Sequence, residues 1–474
     1  MDDILIHSAY LVTMEGEGAG IIMDGAVAIK GNKIVAVGKS DDIRREHRAH
    51  REIDAKGKVV MPGLINAHSH TWEGAIRGVA QDTNNWMQRG VRPFTEHFTL
   101  EAMVTGSMVT AIEALKSGTT TLLDFNNPMD AIVKNFDVLG IRARVAPVVN
   151  EMMPGLSKLK LGELYPFDSS VGQERLLNNI KLFEAWNGAR DGRITVLFGP
   201  QGPDMLSKEL LLEVRAYAKK FGTKIHMHVA QGDREINQML KRHGKRSIPY
   251  LDEIGYIDGD LLAVHLTEAT REEVALLARK GAVMIACVCS IGIIDGIVVP
   301  IMDYLAEGGK VALGTDQTPG NNNCNMFNEM KFAAVLGKCK VKDPTALPAW
   351  KALRLATIES AEAVGLGAEV GSFRPGKKAD VIIIDMTHPN LSPIITYPMR
   401  NIVPNLVYAG RGHEVETVIV DGKVIIDNYA VLTVNEKEAV AKMQAEADKV
   451  AAATVEDYKV ANPELFAMTE KGFV

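Results

Sequence analysis

The sequence predicts an α/β fold: a distorted (β/α)₈ TIM barrel together with a small composite β-sandwich assembled from both termini. Two observations predict this architecture. Short apolar runs alternate with longer helical segments through the middle of the 474 residues, and β-rich segments occur at both ends. Strand, helix and strand in alternation favour parallel strands with crossover helices, and eight such strands can close into a barrel. The alternation leaves a doubly wound open sheet as the alternative.

The two ends of the chain share short, β-rich segments bounded by tight turns. The segments are residues 26–30, 33–37, 379–385 and 417–425. The first two flank the dipeptide Gly31-Asn32, which is typical of a β-hairpin. We therefore expect residues 1–60 and 370–433 to form one composite β-sandwich domain.

Eight candidate strands occupy the middle of the chain, which we assign to a barrel domain over residues 61–369. They are 58–66, 119–125, 141–149, 193–200, 224–230, 261–266, 283–288 and 311–316. Helices are predicted between the later strands at 207–221, 270–280 and 301–308. This order of elements is what a parallel barrel requires.

The chain after Val434 is rich in Ala, Glu and Lys and predicts a helical extension over residues 434–474, with an amphipathic helix at 436–454. Such a helix lies either on its own protein or on a neighbouring subunit. We expect a homo-oligomer, a dimer or a tetramer.

The composition excludes several classes of function. Hydrophobic residues make up 46% and charged residues 24% of the chain, which is the balance of a globular protein, and no apolar run approaches the ~18–20 residues of a membrane span. A net charge of −6 disfavours a nucleic-acid partner. Four cysteines do not make a disulfide framework, and the N-terminus carries two acids where a secretory signal carries basic residues. We expect a cytoplasmic protein.

The strongest chemical signal is the pair His68 and His70, which ends a buried candidate strand. Side chains at i and i+2 of a strand face the same side, so both imidazoles can converge on one divalent metal. A bare pair of this kind is more often structural. Here it follows a buried strand and leads into a polar loop, which in a barrel lies at the C-terminal mouth where active sites are found.

Three further candidate strands also end in a residue able to bind a metal or a proton. His226 and His228 alternate on one face of the fifth strand, His265 closes the sixth, and Asp316 follows the eighth. Each of them alone is more often structural. Four strand ends that carry His or Asp in one alternating chain favour a shared metal site.

The motifs PGLINAHSH, HMH, AVH and LGTD, in this order, resemble the amidohydrolase superfamily, and FRPGKKADVIIID is similar to the composite β-sandwich of that superfamily. HSHTWEGAIRG and GTDQTPGNNNCN are similar to its branch of cytosine, guanine and adenosylhomocysteine deaminases and triazine hydrolases. The resemblance spans nearly the whole chain. It implies hydrolytic deamination, or a related displacement, at a ring carbon of a small heterocyclic substrate of purine, pyrimidine, pterin or triazine type.

Carried over residue by residue, the resemblance implies four ligands for one divalent metal ion, Zn²⁺ or alternatively Fe²⁺: His68, His70, His228 and Asp316. Asp316 would also accept a proton from the attacking water, and His265 would orient that water or the substrate. Binuclear relatives carry a bridging lysine at the end of the fourth strand, whereas this chain has no lysine in its segment Phe198-Gly199-Pro200-Gln201. A single metal is therefore predicted, with His226 supporting the site by hydrogen bonding.

Gln231 is the main departure from the deaminase branch. A glutamate that moves protons usually stands there, three residues after the ligand of the fifth strand, whereas an amide does not titrate. Either the substrate needs no such acid, or Asp233 or Glu73 supplies it, or the position has been inactivated. The sequence leaves all three explanations open.

Several residues beside the motifs are candidate substrate contacts. Trp72 and Glu73 follow the metal pair directly, and an aromatic ring at the barrel mouth can stack on a flat heterocycle or pack inside a long loop. Gln201 and Gln317 are the other predicted contacts. The seventh strand ends in Cys287-Val288-Cys289 in place of the histidine of many deaminases, and we interpret both cysteines as small buried residues.

Two alternatives to deamination remain at this stage. A cyclic amide hydrolase, as in the hydantoinase-like branch, typically uses two metals and the bridging lysine that is absent here. A catalytically impaired or non-enzymatic protein of the same fold tends to lose metal ligands, whereas this chain retains the full set. Hydrolytic deamination is therefore the favoured function.

Overall fold

The structure is a computed structural model that describes residues 1–153, 159 and 162–474. Its strands are β1 (Asp2–Val12), β2 (Ile21–Lys30), β3 (Lys33–Lys39), β4 (Ala49–Asp54), β5 (Lys58–Pro62), β6 (Leu64–His70), β7 (Thr119–Asn126), β8 (Arg142–Val149), β9 (Ile194–Val196), β10 (Gly199–Pro200), β11 (Ile225–Val229), β12 (Leu261–His265), β13 (Val283–Ala286), β14 (Lys310–Leu313), β15 (Asp316–Gln317), β16 (Val381–Asp385), β17 (Val415–Val420), β18 (Lys423–Asp427) and β19 (Ala430–Val431).

The helices lie mostly between the barrel strands and at the C-terminus. They are α1 (Ser40–Glu46), α2 (Arg92–Thr95), α3 (Leu100–Lys116), α4 (Met129–Leu139), α5 (Ser169–Trp186), α6 (Lys208–Phe221), α7 (Gly232–His243), α8 (Ser247–Glu253), α9 (Arg271–Arg279), α10 (Val288–Ile294), α11 (Ile301–Ala306), α12 (Thr318–Asn321), α13 (Met326–Val341), α14 (Ala349–Leu355), α15 (Ile358–Ala363), α16 (Ile402–Tyr408), α17 (Glu436–Ala461) and α18 (Pro463–Glu470). A 3₁₀ helix (Thr71–Ile76) and a π-helical turn (Met87–Val91) lie between β6 and α2.

Strands from both ends of the chain form one sheet, which confirms the predicted composite β domain. Its order is β19-β18-β17-β16-β5-β1-β2-β3, with β4 paired to β1. The predicted hairpin is β2–β3, in which Lys30 pairs with Lys33 across the turn and Gly31 has a φ of +57°. Gly31 adopts this left-handed conformation without the steric cost that a side chain brings.

The alternation of side chains along β16 explains how this sheet packs against the barrel. Val381 and Ile383 belong to the interior core of the composite sheet, whereas Ile382 and Ile384 belong to the large core that also contains the barrel. Successive residues of a strand point to opposite faces, so both faces of β16 are buried. The sheet is thereby fixed to the barrel.

The barrel is built from β6, β7, β8, β9 with β10, β11, β12, β13 and β14 in chain order, all paired in parallel. Backbone hydrogen bonds join its two sheets at both seams. The His226 N–H donates to the Phe198 carbonyl (2.9 Å), and the Thr315 N–H donates to the His68 carbonyl (3.0 Å). These bonds close the predicted barrel, in which the strand ends meet at one mouth.

Three of the predicted strands are divided in the structure, and the last of them, 311–316, forms β14 and the first residue of β15. The segment 58–66 forms β5 of the composite sheet and then β6 of the barrel, with Gly63 between them; its apolar run is continuous because both strands are buried. The segment 193–200 is divided into β9 and β10, because between them the Asn179 side chain of α5 takes the place of backbone hydrogen-bond partners from a neighbouring strand. Its Nδ2 donates to the Leu197 carbonyl (3.0 Å), and its Oδ1 accepts from the Gly199 N–H (3.3 Å).

The predicted helices are present, and their ends follow local capping. Ser207 caps α6, and Thr270 with Glu273 forms a capping box at α9. The C-terminal helix α17 continues beyond the predicted residue 454 and is followed by α18; it packs on α3 and α2 of its own chain. Within the described ranges no single helix is long and apolar enough to cross a membrane; the segments Met87–Thr95 and Leu100–Lys116 meet that test only jointly and are bent by 116°.

Candidate metal and active site

The carboxyl ends of the barrel strands bring the predicted metal-site residues together. They are His68 and His70 in β6, His228 in β11, His265 at the end of β12, and Asp316 just beyond β14. All except His70 are buried, and the side chain of His70 is 14% exposed. The site therefore lies at the base of the barrel mouth.

The metal-binding atoms of these side chains converge. His68 Nε2 lies 3.4 Å from Asp316 Oδ1 and 3.4 Å from His228 Nε2, and His70 Nε2 lies 3.5 Å from the same Oδ1. The ligand atoms of His68, His70 and Asp316 lie within 4.8 Å of one another, and so do those of His68, His228 and His265. The geometry thus brings together the predicted ligands and places His265 beside them.

Hydrogen bonds orient the imidazoles of β6. His70 Nδ1 donates to the Phe125 carbonyl (2.6 Å), and His68 Nδ1 bonds to His226 Nε2 (2.7 Å). In both rings the Nε2 atom is left to face Asp316. Partners of this kind fix the tautomer and ring orientation of a metal-binding histidine. His226 lies where the sequence predicts a supporting residue.

Burial keeps four of the clustered histidines, His68, His226, His228 and His265, in their neutral form. Burial, reinforced by neighbouring histidines, lowers the pKa of His68 and His228 well below the usual value. It lowers the pKa of His226 to about 3 and that of His265 to about 4. A neutral imidazole is the form that binds a divalent metal.

Both ring nitrogens of His265 are buried without a hydrogen-bond partner among the described residues. Burying an unpaired polar group costs free energy unless a ligand or water supplies the missing partner. A water or substrate group beside the metal would supply that partner. This observation agrees with the predicted orienting role of His265.

Ser290 holds Asp316 directly and Asn66 holds the neighbouring Thr315, and the sequence patterns single out neither of them. Asn66 Nδ2 donates to Thr315 Oγ1 (2.7 Å), and its Oδ1 accepts from the Thr315 and His68 N–H groups at 3.1 and 3.3 Å. Ser290 Oγ donates to Asp316 Oδ2 (2.6 Å), which leaves Oδ1 facing the histidines. In the Asp316 carboxylate, Oδ2 is therefore engaged by Ser290, and Oδ1 is free to bind a metal.

The strand ends at the site have unusual backbone geometry. Ala230, His265 and Asp316 have φ values of +54°, +80° and +61°. Such conformations cost roughly 1–3 kcal/mol each in residues other than glycine, and they cluster at functional sites. Gly314 allows a close approach: a Cβ there would lie 2.7 Å from the backbone N of His68.

The end of the seventh strand is structural, as predicted for its cysteines. Cys287 and Cys289 are buried, and burial raises the pKa of both thiols well above the usual value. Glu329 accepts hydrogen bonds from the Val288 N–H (2.9 Å) and the Cys289 N–H (3.2 Å). This carboxyl group fixes the turn that carries Ser290.

Asp124, at the end of β7, fixes the loop that follows the first metal pair. Its carboxyl group accepts from Ser69 Oγ, from the Thr71 N–H and from Thr71 Oγ1, each at 2.9 Å. Burial raises its pKa to about 6 despite these bonds. The sequence signal was available, since Asp124 ends an apolar strand run as Asp316 does.

An inner cavity of about 250 Å³ opens onto the metal-site residues. The predicted substrate contacts all line it: Trp72, Glu73, Gln201 and Gln317, together with Gln231. Trp72 also packs edge-to-face on Phe98, with 5.2 Å between the ring centroids. Burial, together with the charges of Asp316 and Asp124, raises the pKa of Glu73 well above its usual value.

An outer cavity of about 540 Å³ adjoins the inner one and shares Trp86, Met87, Gln231 and Arg234 with it. Asp233 lines only the outer cavity. Arg234 Nη1 donates to buried Asp204 Oδ2 (3.0 Å) at the wall between them. The two cavities give room for a flat ring at the metal and a substituent outside it.

Gln231 is positioned by Glu235, a buried residue that the sequence patterns did not indicate. Glu235 accepts from the N–H groups of Ala230 (2.7 Å) and Gln231 (2.9 Å) and from Ser247 Oγ. Burial, with the charge of Asp204, raises the pKa of Glu235 to about 7. The side chain of Gln231 is left to line both cavities.

The fold and the site define the class of protein: the chain belongs to the amidohydrolase family, whose sequence profile matches residues 59–425. Residues 25–49 match an imidazolonepropionase-like composite domain of bacteria. Both matches agree with the predicted resemblance to this superfamily.

Particular relatives are named deaminases. The chain is 35% identical over 454 residues to a 5′-deoxyadenosine deaminase of Methanosarcina acetivorans, covering 95% of this chain and 99% of the relative. It is 34% identical over 446 residues to a 5-methylthioadenosine/S-adenosylhomocysteine deaminase of Pelotomaculum thermopropionicum, covering 94% and 98%. The crystal structure of an adenosine deaminase from Xanthomonas campestris with bound zinc matches with a TM-score of 0.86 and 28% identity, covering 95% and 99%. The predicted deaminase branch is confirmed.

Proposed function

We propose that this chain is a metal-dependent hydrolase that replaces the amino group on a ring carbon of a nitrogen heterocycle by oxygen and releases ammonia. The observation that carries the proposal is the convergence of four ligand-type side chains at the floor of a cavity: His68, His70, His228 and Asp316. The relatives named as deaminases support the same reaction.

The donor set fits one zinc ion, with ferrous iron as the alternative. Three neutral imidazoles and one carboxylate oxygen are typical ligands of these metals and leave a position open for water. When bound, such a metal lowers the pKa of its water to about 7 and so makes a nucleophile available at neutral pH. The lack of a lysine in residues 198–201, where binuclear relatives carry the bridging one, supports a single metal.

The protein residues around the metal supply orientation and proton transfer. Asp316, whose Oδ2 is held by the Ser290 hydroxyl, also accepts a proton from the attacking water. His265, which is neutral and has no other partner among the described residues, hydrogen-bonds the water or the substrate. General base catalysis by a positioned group of this kind contributes about 10²–10⁴-fold to a rate.

The inner cavity binds the ring, and the outer cavity binds its substituent. Trp72 offers an aromatic face, and the carboxamides of Gln201, Gln231 and Gln317 offer hydrogen-bond donors and acceptors. Among the heterocycles predicted from the sequence, an aminopurine carrying a sugar-like substituent is supported by the relatives named for adenosine-type substrates. A cytoplasmic location and a homo-oligomeric state stay predictions from the sequence.

Ammonia release from a panel of amino-substituted purines, pyrimidines, pterins and triazines tests this function. The metal-loaded chain should release ammonia from at least one of them, and treatment with a chelator should abolish the release until Zn²⁺ is returned. Asp316→Ala should lose bound metal and activity, whereas Asp303→Ala in the outer helix α11 should keep both. Ammonia release that persists in the chelated protein, or in Asp316→Ala, would contradict the proposal.

A further inference from the structure

The proposed reaction needs a proton donor, and the usual position does not provide one. An amino group leaves as ammonia only after it has taken up a proton. The residue three places after His228 is Gln231, and its carboxamide does not titrate. Another group that faces the inner cavity would then supply this proton.

Glu73 is the remaining carboxyl group among the described residues that line this cavity. The other titratable lining residues have assigned partners or a fixed charge: His70, His228, Asp316, Asp204, Arg175 and Arg234. Three of them are the proposed metal ligands, Asp204 accepts from Arg234, and an arginine stays charged in proteins. Asp233, the other acid suggested by the sequence, lines only the outer cavity.

The structure holds the backbone of Glu73 firmly beside the metal site. Glu73 lies in the 3₁₀ helix that begins directly after His70. Thr71 ties the start of this helix to Asp124 by two hydrogen bonds of 2.9 Å. At Gly74 a Cβ would lie 2.5 Å from the Gly106 carbonyl oxygen, so the helix is in close contact with α3.

The carboxyl group of Glu73 is unusual because it is buried yet unengaged. Glu73 is 9% exposed and makes no hydrogen bond or ion pair with any residue in the described part of the chain. Buried carboxyl groups normally have such partners. A free carboxyl group on a firmly held backbone is suited to contact a substrate.

We propose that Glu73 is the proton donor to the leaving group, an assignment that rests on the function proposed above. The water oxygen forms a bond to the ring carbon while Asp316 takes one of the water protons. Glu73 gives its proton to the amino nitrogen, the C–N bond breaks, and its electron pair departs with ammonia. The product carries a hydroxyl group where the amino group was, and transfer of the proton from Asp316 to the Glu73 carboxylate restores both residues.

A comparison of two leaving groups tests this assignment. Chloride departs without a proton, whereas an amino group does not, so a proton donor affects only the second. The probes are an amino-heterocycle that the unaltered chain deaminates and the chloro-substituted form of the same ring. With equal metal content, Glu73→Gln should lower kcat for ammonia release by about 10²–10⁴-fold and change chloride release by less than about tenfold.

A second substitution separates proton transfer from a structural role. Glu73→Gln combined with Gln231→Glu should regain ammonia release, because the second change returns a carboxyl group to the same cavity. Asp233→Asn should lose far less activity than Glu73→Gln. Thermal unfolding of each variant checks that the fold is retained.

Three outcomes overturn the assignment: an equal loss with both leaving groups, no loss of ammonia release in Glu73→Gln, or a larger loss in Asp233→Asn. In each of these the unaltered chain is active, so the proposed function stands while Glu73 is excluded. If the unaltered, metal-loaded chain deaminates no heterocycle of the panel, the proposed function itself fails, and the assignment of Glu73 fails with it.

Discussion

Gly314→Ala is expected to disturb the metal site without removing any functional group. A Cβ at Gly314 would lie 2.7 Å from the backbone N, 2.9 Å from the Cβ and 3.0 Å from the carbonyl oxygen of His68. The closest approach is thus about 0.7 Å short of the 3.4 Å at which ordinary van der Waals contact begins. All three atoms are main-chain or Cβ atoms, so a change of rotamer does not relieve the clash.

The two strand ends must therefore move apart, and they carry two of the proposed ligands, His68 and Asp316. Overpacking of this kind costs about 1–3 kcal/mol of stability. A misplacement near 1 Å at a catalytic group can lower a rate by about 10²-fold. We expect Gly314→Ala to bind zinc more weakly and to release ammonia about 10–10²-fold more slowly at saturating metal.

Competition with a chelator gives the metal affinity, and ammonia release at saturating Zn²⁺ gives the turnover. Gly292→Ala is the matched control, because Gly292 lies in α10 near the site and no atom is within 4 Å of its Cβ position. The control should retain wild-type metal affinity and turnover. Wild-type metal affinity and turnover in Gly314→Ala would refute the argument that the contact between these strand ends sets the geometry of the site.

Three further predictions concern other parts of the site. His265→Ala should lower turnover by about 10²-fold or more while most of the metal remains bound, and complete loss of metal would make His265 a ligand instead. Arg89 donates hydrogen bonds to the Ala461 carbonyl (3.3 Å), to Asn462 Oδ1 (3.1 Å) and to Glu464. Arg89→Ala should therefore loosen the loop that carries Trp86 and raise KM more than it lowers kcat. An unchanged KM would contradict this. The pKa of Glu235 is raised from 4.5 to about 7 in the folded state, so its contribution to stability is present below about pH 4.5 and is lost as pH rises to about 7. Glu235→Gln should flatten that decline in denaturant unfolding at pH 5 to 8, and parallel pH profiles of the two proteins would contradict the assignment.

The fold and the proposed ligands could be predicted from the sequence because both depend on local patterns. Residues i and i+2 of one strand share a face, so the spacing of His68 and His70, together with the buried strand before them, indicated a shared site. Parallel strands in alternation with helices bring all strand ends to one mouth, so His228, His265 and Asp316 could be grouped with this pair, and the resemblance to the amidohydrolase superfamily then implied which of them are ligands. None of these inferences requires knowledge of a distant contact.

The supporting residues could not be predicted because their partners are distant in the chain. Asn66 bonds Thr315 across 249 positions, and Glu329 bonds the Val288 N–H across 41. A buried asparagine or glutamate shows no periodicity that names its partner. Ser290 shows no such signal either, since it donates to Asp316 from α10 across 26 positions.

The division of the first predicted strand has a different cause. Residues 58–66 form one apolar run, and apolar runs carry no signal of which sheet they join. Gly63 marks the point where the chain leaves the composite sheet, because a Cβ there would lie 2.0 Å from Thr120 Oγ1. Only the packing of β7 beside this glycine reveals the boundary.

Titration of the metal-free chain with Zn²⁺, followed by ammonia release from its best amino-heterocycle, tests the central claim most directly. With one site formed by His68, His70, His228 and Asp316, the rate should rise linearly to one equivalent of metal per chain and then remain constant. A break at two equivalents, or full activity before any metal is added, would contradict the account.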